Sequence, residues 1–303
     1  MIIADCHNDT SYRLFFEKES LHKNSFNIDI KKQGIHKTLL FYAIFMDYEK
    51  YGNNPKKYFT DIYINLKNEF EKNERNIEPY KNSNDFLLSD KKSYVITLEG
   101  GDFIENEDDI NFLSSLNIKA ITLTWNKSNK IASCHLENKD NGLSDFGRKI
   151  IEKMEEKNII ADLSHSSDRT FFDTLEIARK PVLVSHSNSR KICNNSRNIT
   201  DEMFLQLIKN NGICGMNFYS DFVGKNKDID SLCSHIFHFL SLGGENNLAF
   251  GSDFDGAYPL IKGINDFCDF EKIINRLLEL NLNETILEKI MYKNIIKLLG
   301  VAK

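Results

Sequence analysis

Ile2-Ile3-Ala4-Asp5-Cys6-His7-Asn8-Asp9-Thr10 opens the chain as a short apolar run that stops at a group of metal-capable side chains. Side chains two apart in a strand share a face, so a strand over Ile2 to Cys6 would aim His7 and Asp9 in one direction at its end. Alone, a His-x-Asp pair is weak, because the same residue types make ordinary surface turns. Its weight depends on whether the pattern recurs.

It does recur. Further apolar, β-branched runs lie at Thr38 to Met46, Tyr94 to Leu98, Ala120 to Trp125, Ile159 to Leu163, Val182 to Ser185, Ile213 to Phe218 and Leu248 to Gly251. Amphipathic helical patterns separate them, which is the mark of repeated βα units. Arg148 to Lys157 follows Asp145-Phe146-Gly147, Ser167-Asp168 can cap Arg169 to Arg179, and Thr200-Asp201-Glu202 opens Met203 to Lys209 with an acidic first turn. Eight such runs in 303 residues predict an α/β fold of the (β/α)8 TIM-barrel type, one domain over 1–303. Residues 11–36 and 47–93, rich in Lys, Asn, Glu and Tyr, are expected to add helices and loops. Asn283 to Leu299 reads as a final amphipathic helix that closes or flanks the barrel.

Composition narrows the partners. Hydrophobic residues make up 41% and charged residues 27%, ordinary for a soluble globular chain. With 44 acidic against 39 basic residues the net charge is -5, so no basic excess favours nucleic acid or an anionic membrane. The apolar start is too short for the core of a signal peptide, and the longest apolar run is about half a membrane span, so a cytoplasmic protein is expected. Six cysteines, at 6, 134, 193, 214, 233 and 268, show no Cys-x-x-Cys spacing, as expected of reduced thiols rather than a disulfide framework or a thiolate zinc site.

The chemistry gathers at the strand ends, where barrel enzymes build their active sites. The first run ends in His7 and Asp9, the third in Glu99-Gly100-Gly101, the fifth in Asp162-Leu163-Ser164-His165, the sixth in Ser185-His186-Ser187, and the eighth in Ser252-Asp253-Phe254-Asp255-Gly256. Each has a plainer reading, as a packed histidine, a turn acid or a helix cap. Together they would crowd three imidazoles and three carboxylates onto one rim, a costly arrangement that a pair of divalent ions relieves. Imidazole and carboxylate without thiolate suit zinc or another first-row divalent ion. Two ions roughly 3.5 to 4 Å apart need a bridging group, and Glu99 is the natural one.

These motifs, in this order from about residue 2 to residue 299, resemble the set found in the membrane dipeptidase (renal dipeptidase) family of the amidohydrolase superfamily. The resemblance implies a site of two Zn2+ ions that cleaves dipeptides with a free carboxyl terminus and tolerates a D-residue there. Carried over position by position, His7 and Asp9 bind one zinc, His165 and His186 the other, Glu99 bridges, and Asp253 is the catalytic carboxylate. Arg197, in Cys193-Asn194-Asn195-Ser196-Arg197, matches the arginine that receives the substrate carboxylate, and Tyr219, in Asn217-Phe218-Tyr219, matches a pocket residue. A homodimer is also what the resemblance suggests.

One position departs. After Thr122-Leu123-Thr124 the mammalian members carry a substrate-contacting histidine, and this chain carries Trp125, its single tryptophan, which otherwise reads as a packing residue of the barrel mouth. The change bears on substrate preference. Rival readings keep the barrel and change its use: a lactonase, phosphotriesterase or cyclic amidase, or a non-catalytic metal- or peptide-binding barrel. Those enzymes often bridge their metals with a carboxylated lysine where this chain has Glu99, and Asp253 argues against a non-catalytic role. His22, His36, His135, His235 and His238 lie outside the predicted strand ends, with His135 in a loop that could approach the pocket.

Overall fold

A strand covered on both faces has no polar face, and Lys37-Thr38-Leu39-Leu40-Phe41-Tyr42-Ala43-Ile44-Phe45 is buried without interruption from Thr38 to Ile44. The computed structural model describes residues 1–301. Its strands are β1 (Ile2–Asn8), β2 (Lys37–Phe45), β3 (Ile77–Pro79), β4 (Lys92–Glu99), β5 (Ile118–Thr122), β6 (Ile160–Asp162), β7 (Leu183–Val184), β8 (Ile213–Met216) and β9 (Leu248–Phe250). All are parallel to their neighbours. The order β2-β1-β9-β8-β7-β6-β5-β4 closes through β2 and β4, giving the eight-stranded TIM-type barrel with its helices outside.

Alternation along the strands divides the core in two. Ala4, Leu39, Phe41, Val95, Ala120, Ile160, Leu183, Ile213 and Ala249 fill the barrel, while Ile3, Leu40, Tyr42, Ile96, Ile121 and Val184 meet the helical layer. Ile295, Leu298 and Leu299 join the inner set, so the last helical segment seals the barrel floor. That segment runs from Glu284 to Val301, but Lys289–Lys293 is a π turn between two α-helical pieces. Five residues are about 140° round an α-helix, and the wider turn brings Ile290 and Ile295 back toward one side, where both are fully buried.

Three other departures from the sequence reading have local causes. β3 was not expected; it pairs with the first half of β4, and its Pro79 suits a strand outside the closed ring. The run ending at Trp125 leaves the sheet after Thr122, and β7 is two residues long, because both strands stop where their side chains turn to polar partners at the mouth. β1 runs two residues further than expected and bulges: Asp5 faces Leu40 of β2, but Asn8 faces Tyr42. The cap readings at Ser167 and Thr200 hold, whereas the helix expected from Arg148 begins at Asp145 and is capped by Ser144. Of the two long inserts, the first supplies helix Thr10–Glu17 and the second helices Pro55–Lys72 and Ser83–Leu88. No helix among the described residues is long and apolar enough to cross a membrane.

Candidate metal centre

The bulge in β1 decides how the site begins. Simple alternation with inward Ala4 and Cys6 would turn His7 outward; the extra residue between Asp5 and Asn8 changes the phase. His7 then stacks on His186 with ring centroids 3.8 Å apart, and its Nε2 lies 3.4 Å from Asp9 Oδ2. Beneath them the barrel is built from minimal side chains. A Cβ on Gly215 or Gly251 would stand 2.0 Å or 1.8 Å from the Ser185 carbonyl oxygen, so only glycine lets these strand ends approach β7.

Glu99, at the end of β4, stands between two sets of donors. Its Oε2 is 3.6 Å from His7 Nε2, and its Oε1 is 3.0 Å from His165 Nε2 and 3.5 Å from His186 Nε2. The structure therefore gathers His7, Asp9 and Glu99 in one triplet and Glu99, His165 and His186 in another, with every member buried. Asp253 completes the rim, its Oδ1 4.0 Å from His7 Nε2. His165 and Asp253 both hold left-handed backbone (φ 66° and 61°), a conformation that non-glycine residues keep only where the surroundings enforce it.

Protons satisfy this donor set poorly. His7 Nε2 and Asp9 Oδ1 are buried with no hydrogen-bond partner, and His165 Nε2 and His186 Nε2, both lone-pair bearing, face each other at 3.0 Å. Burial pushes Asp9 up to about 8, with repulsion from Glu99 adding to it, and pushes Asp253 up to about 6. Burial likewise pulls His165 down to about 3, helped by the Arg197 charge, and pulls His186 down. His7 goes the other way: burial opposes its charge, but Glu99 and Asp9 beside it win. Two buried imidazoles held neutral, and a third whose Nε2 finds only carboxylates beside it and no hydrogen-bond partner, are a donor set that divalent cations satisfy, so the residues present fit metal.

Surrounding polar groups fix which nitrogen faces inward. The Ser185 hydroxyl donates to Asp162 Oδ2 at 2.6 Å, which leaves its oxygen to accept from His186 Nδ1 at 2.7 Å. Asn126 Oδ1 accepts from His165 Nδ1 at 2.8 Å. In both rings the Nε2 lone pair is thereby turned toward Glu99. Asp162 is fully engaged by Thr122, Ser164 and Ser185, which makes it an anchor for the ligands. Asn217 donates to Asp253 Oδ2 at 3.0 Å, which leaves Asp253 Oδ1 facing the centre.

Above the centre opens a cleft of about 750 Å³. Arg197 lines it, buried, with donors to the His186 carbonyl at 3.2 Å and Ser187 Oγ at 3.3 Å, which leaves the rest of its five-donor fork unused. Tyr219 and Trp125 also line the cleft. Tyr219 donates to Asp221 at 3.0 Å, while Trp125 packs on Phe45 and Tyr48. All nine sequence-predicted site residues thus meet in one place. Sequence reading missed the orienting roles of Asn126, Ser185 and Asn217, whose partners come from other strands. His135 does reach the cleft, held between Ser196 Oγ at 2.7 Å and Asn126 Oδ1 at 3.0 Å. His22, His36, His235 and His238 lie apart from it.

An uncharacterized dipeptidase of Schizosaccharomyces pombe is 33% identical over 192 residues, 60% of this chain and 46% of that protein. Dipeptidase 3 of Macaca fascicularis is 27% identical over 226 residues, 71% of this chain and again 46% of the relative, so the chain spans about half the length of the curated relatives it matches. Among solved structures, the dipeptidase AC, a metallopeptidase of family M19, superposes with a TM-score of 0.91 at 19% identity, covering 100% of this chain and 98% of that one. A metallopeptidase from Rhodobacter sphaeroides bound to a phosphinate mimic of L-Ala-D-Ala superposes at 0.90 with 18% identity, over 100% of this chain and 99% of that one. The family model for membrane dipeptidase, peptidase family M19, matches residues 1–303, and the chain belongs to that family.

Proposed function

We propose that this protein is a zinc-dependent dipeptidase that hydrolyses the peptide bond of dipeptides with a free carboxyl terminus. One observation carries the reading: the two oxygens of Glu99 face separate sets of donors, His7 with Asp9 and His165 with His186. These five residues would hold two Zn2+ ions, with Glu99 shared. When bound, the zinc pair supplies Lewis acidity for the scissile carbonyl and makes water a competent nucleophile near neutral pH.

The chain's own groups do the rest. Asp253 faces the centre with one oxygen while Asn217 holds the other, so it is placed to take a proton from the attacking water and give it to the leaving amine. Burial lifts it to about 6, which suits a group that must both accept and return a proton near neutral pH. Arg197 offers its unused fork to the substrate carboxylate, which limits substrates to short peptides ending in the cleft. Tyr219 and Trp125 border the substrate. Acceptance of a D-residue at the carboxyl end draws support from the L-Ala-D-Ala mimic bound by the Rhodobacter sphaeroides neighbour.

The test is elemental analysis of the purified protein followed by hydrolysis of dipeptides with L- and D-carboxyl-terminal residues, with and without a chelator. Two zinc ions per chain are expected, with activity that disappears on chelation and returns with zinc. Undiminished hydrolysis after the metal is stripped, or no cleavage of any dipeptide by the loaded protein, overturns the reading.

A further inference from the structure

The mouth of the cleft has two unlike sides. On the β7 and β8 side stand Arg197, with its guanidinium 5.5 Å from the Phe222 ring, and Tyr219, edge-on to that ring at 4.8 Å. Across the barrel, beyond the ends of β1, β2 and β5, stand Tyr12, Phe45 and Trp125. Phe45 meets Trp125 at 4.6 Å between centroids and 64° between planes, and meets Tyr12 at 5.5 Å. Tyr48 backs Trp125 at 5.3 Å. The three rings are half-buried, and what they expose faces the cleft. The wall starts at the metal ligands, with Trp125 6.3 Å from the His165 ring. The nearby cations are already taken up: Lys50 lies over Tyr12 beside Asp47, and Lys127 over Tyr48, and neither lines the cleft.

We propose that this aromatic wall receives the side chain of the substrate's amino-terminal residue and selects dipeptides with an aromatic or large aliphatic residue there. The inference rests on the dipeptidase reading, because that reading fixes the direction of the substrate. With the carboxylate on Arg197 and the scissile carbonyl over Glu99, the residue on the amino side is carried across the mouth toward Tyr12, Phe45 and Trp125. Ring surface open to water gains when an apolar side chain covers it, and edge-to-face neighbours such as Phe45 and Trp125 offer a further ring a preferred geometry. A carboxylate side chain would lose water there and find no free cation on the wall, and an ammonium would exchange its water for ring faces and the Tyr12 hydroxyl alone.

A series with alanine fixed at the carboxyl end and Gly, Ala, Leu, Phe, Lys or Asp at the amino end tests this on the zinc-loaded protein. Apolar pockets discriminate by roughly 10- to 200-fold, so kcat/KM for Phe-Ala is expected about 10- to 100-fold above Ala-Ala, with Lys-Ala and Asp-Ala below both. In Trp125→Ala, and separately in Phe45→Ala, the Phe-Ala to Ala-Ala ratio is expected to fall at least about fivefold, whatever happens to the absolute rate. Cleavage of the whole series at equal kcat/KM, a preference for Lys or Asp, or an unchanged ratio in both variants overturns the wall and leaves the dipeptidase reading standing. No cleavage of any member overturns both.

Discussion

At Asp253 three demands meet: a carboxylate facing the metal ligands, an amide partner in Asn217, and left-handed backbone at φ 61°. Asparagine tolerates that backbone and keeps the side-chain shape, so Asp253→Asn removes the titrating oxygen and little else. The variant should retain its metal by elemental analysis while kcat falls about 10²- to 10⁴-fold, the usual worth of a positioned acid–base group. Retained turnover would remove Asp253 from proton transfer. Three residues on, Gly256 is equally constrained, since a Cβ there would lie 2.0 Å from Asp9 Oδ2 and 2.9 Å from Asp253 Oδ1. Gly256→Ala should therefore fold but displace Asp9, with substoichiometric zinc and at least about a 100-fold loss of kcat, since errors near 1 Å carry that penalty. Wild-type metal content and rate in this variant would show that the clasp has slack. His7, Asp9, Glu99, His165 and His186 were legible because each ends an apolar run. Asn126, Ser185 and Asn217 were not: Asn126 and Asn217 act on partners 39 and 36 residues away, and Ser185 turns its neighbour His186 only because Asp162, 23 residues away, takes its proton.

Among the elements, the helix Ile229–Ser241 supports the site from outside the barrel. Its His235 is fully buried and accepts the Ser189 backbone N–H through Nδ1 at 3.0 Å, steadying the segment between His186 and Arg197. Burial holds this imidazole down to about 4, against an ordinary value of 6.5. The unfolded chain therefore binds the extra proton between those values, and the stability this neutral imidazole confers is complete above pH 6.5 and lost as pH falls toward 4. Going from pH 7 to pH 5 should cost wild type about 2 kcal/mol through this group alone. His235→Gln keeps an acceptor without a proton to gain, so its unfolding free energy in urea should fall less over that interval by about the same amount. Equal losses in both proteins would place the pH sensitivity elsewhere. Such a role has no sequence signature, because a histidine among Leu232, Cys233, Ile236 and Phe239 reads only as helix interior. β3 escaped notice for a related reason, since Ile77-Glu78-Pro79 is too short and too polar to show alternation.

Over the whole molecule the barrel was legible because a strand covered on both faces must be apolar throughout, and the helices between strands follow from their caps. The bulge in β1 and the π turn near the carboxyl end were not, because a single extra residue shifts the phase of a pattern without changing its composition. The closed ring also ties stability to the metal. Ligands from β1, β4, β6 and β7 are drawn together around charges that repel or lack partners. A ligand at a thousand times its dissociation constant stabilises by about 4 kcal/mol, so chelation should lower the melting temperature by several degrees, and zinc should restore it. In Glu99→Ala, which breaks both donor sets, the shift on chelation should shrink toward zero. A shift as large as wild type would mean that the stabilising metal sits elsewhere.

The pairing of β1 with β9 has a consequence for how the protein is made. Asp5 faces Phe250, the Asp253 N–H donates to the His7 carbonyl at 3.2 Å, and Ser252 grips Asp5 through both its N–H and its hydroxyl. β1 thus has its second edge covered by β9, the last strand of the ring in chain order. His7 and Asp9 are synthesised well before their partner Asp253, and until β9 follows one edge of β1 lacks its strand. Completion of the active centre therefore waits on the segment from Leu248 to Asp253.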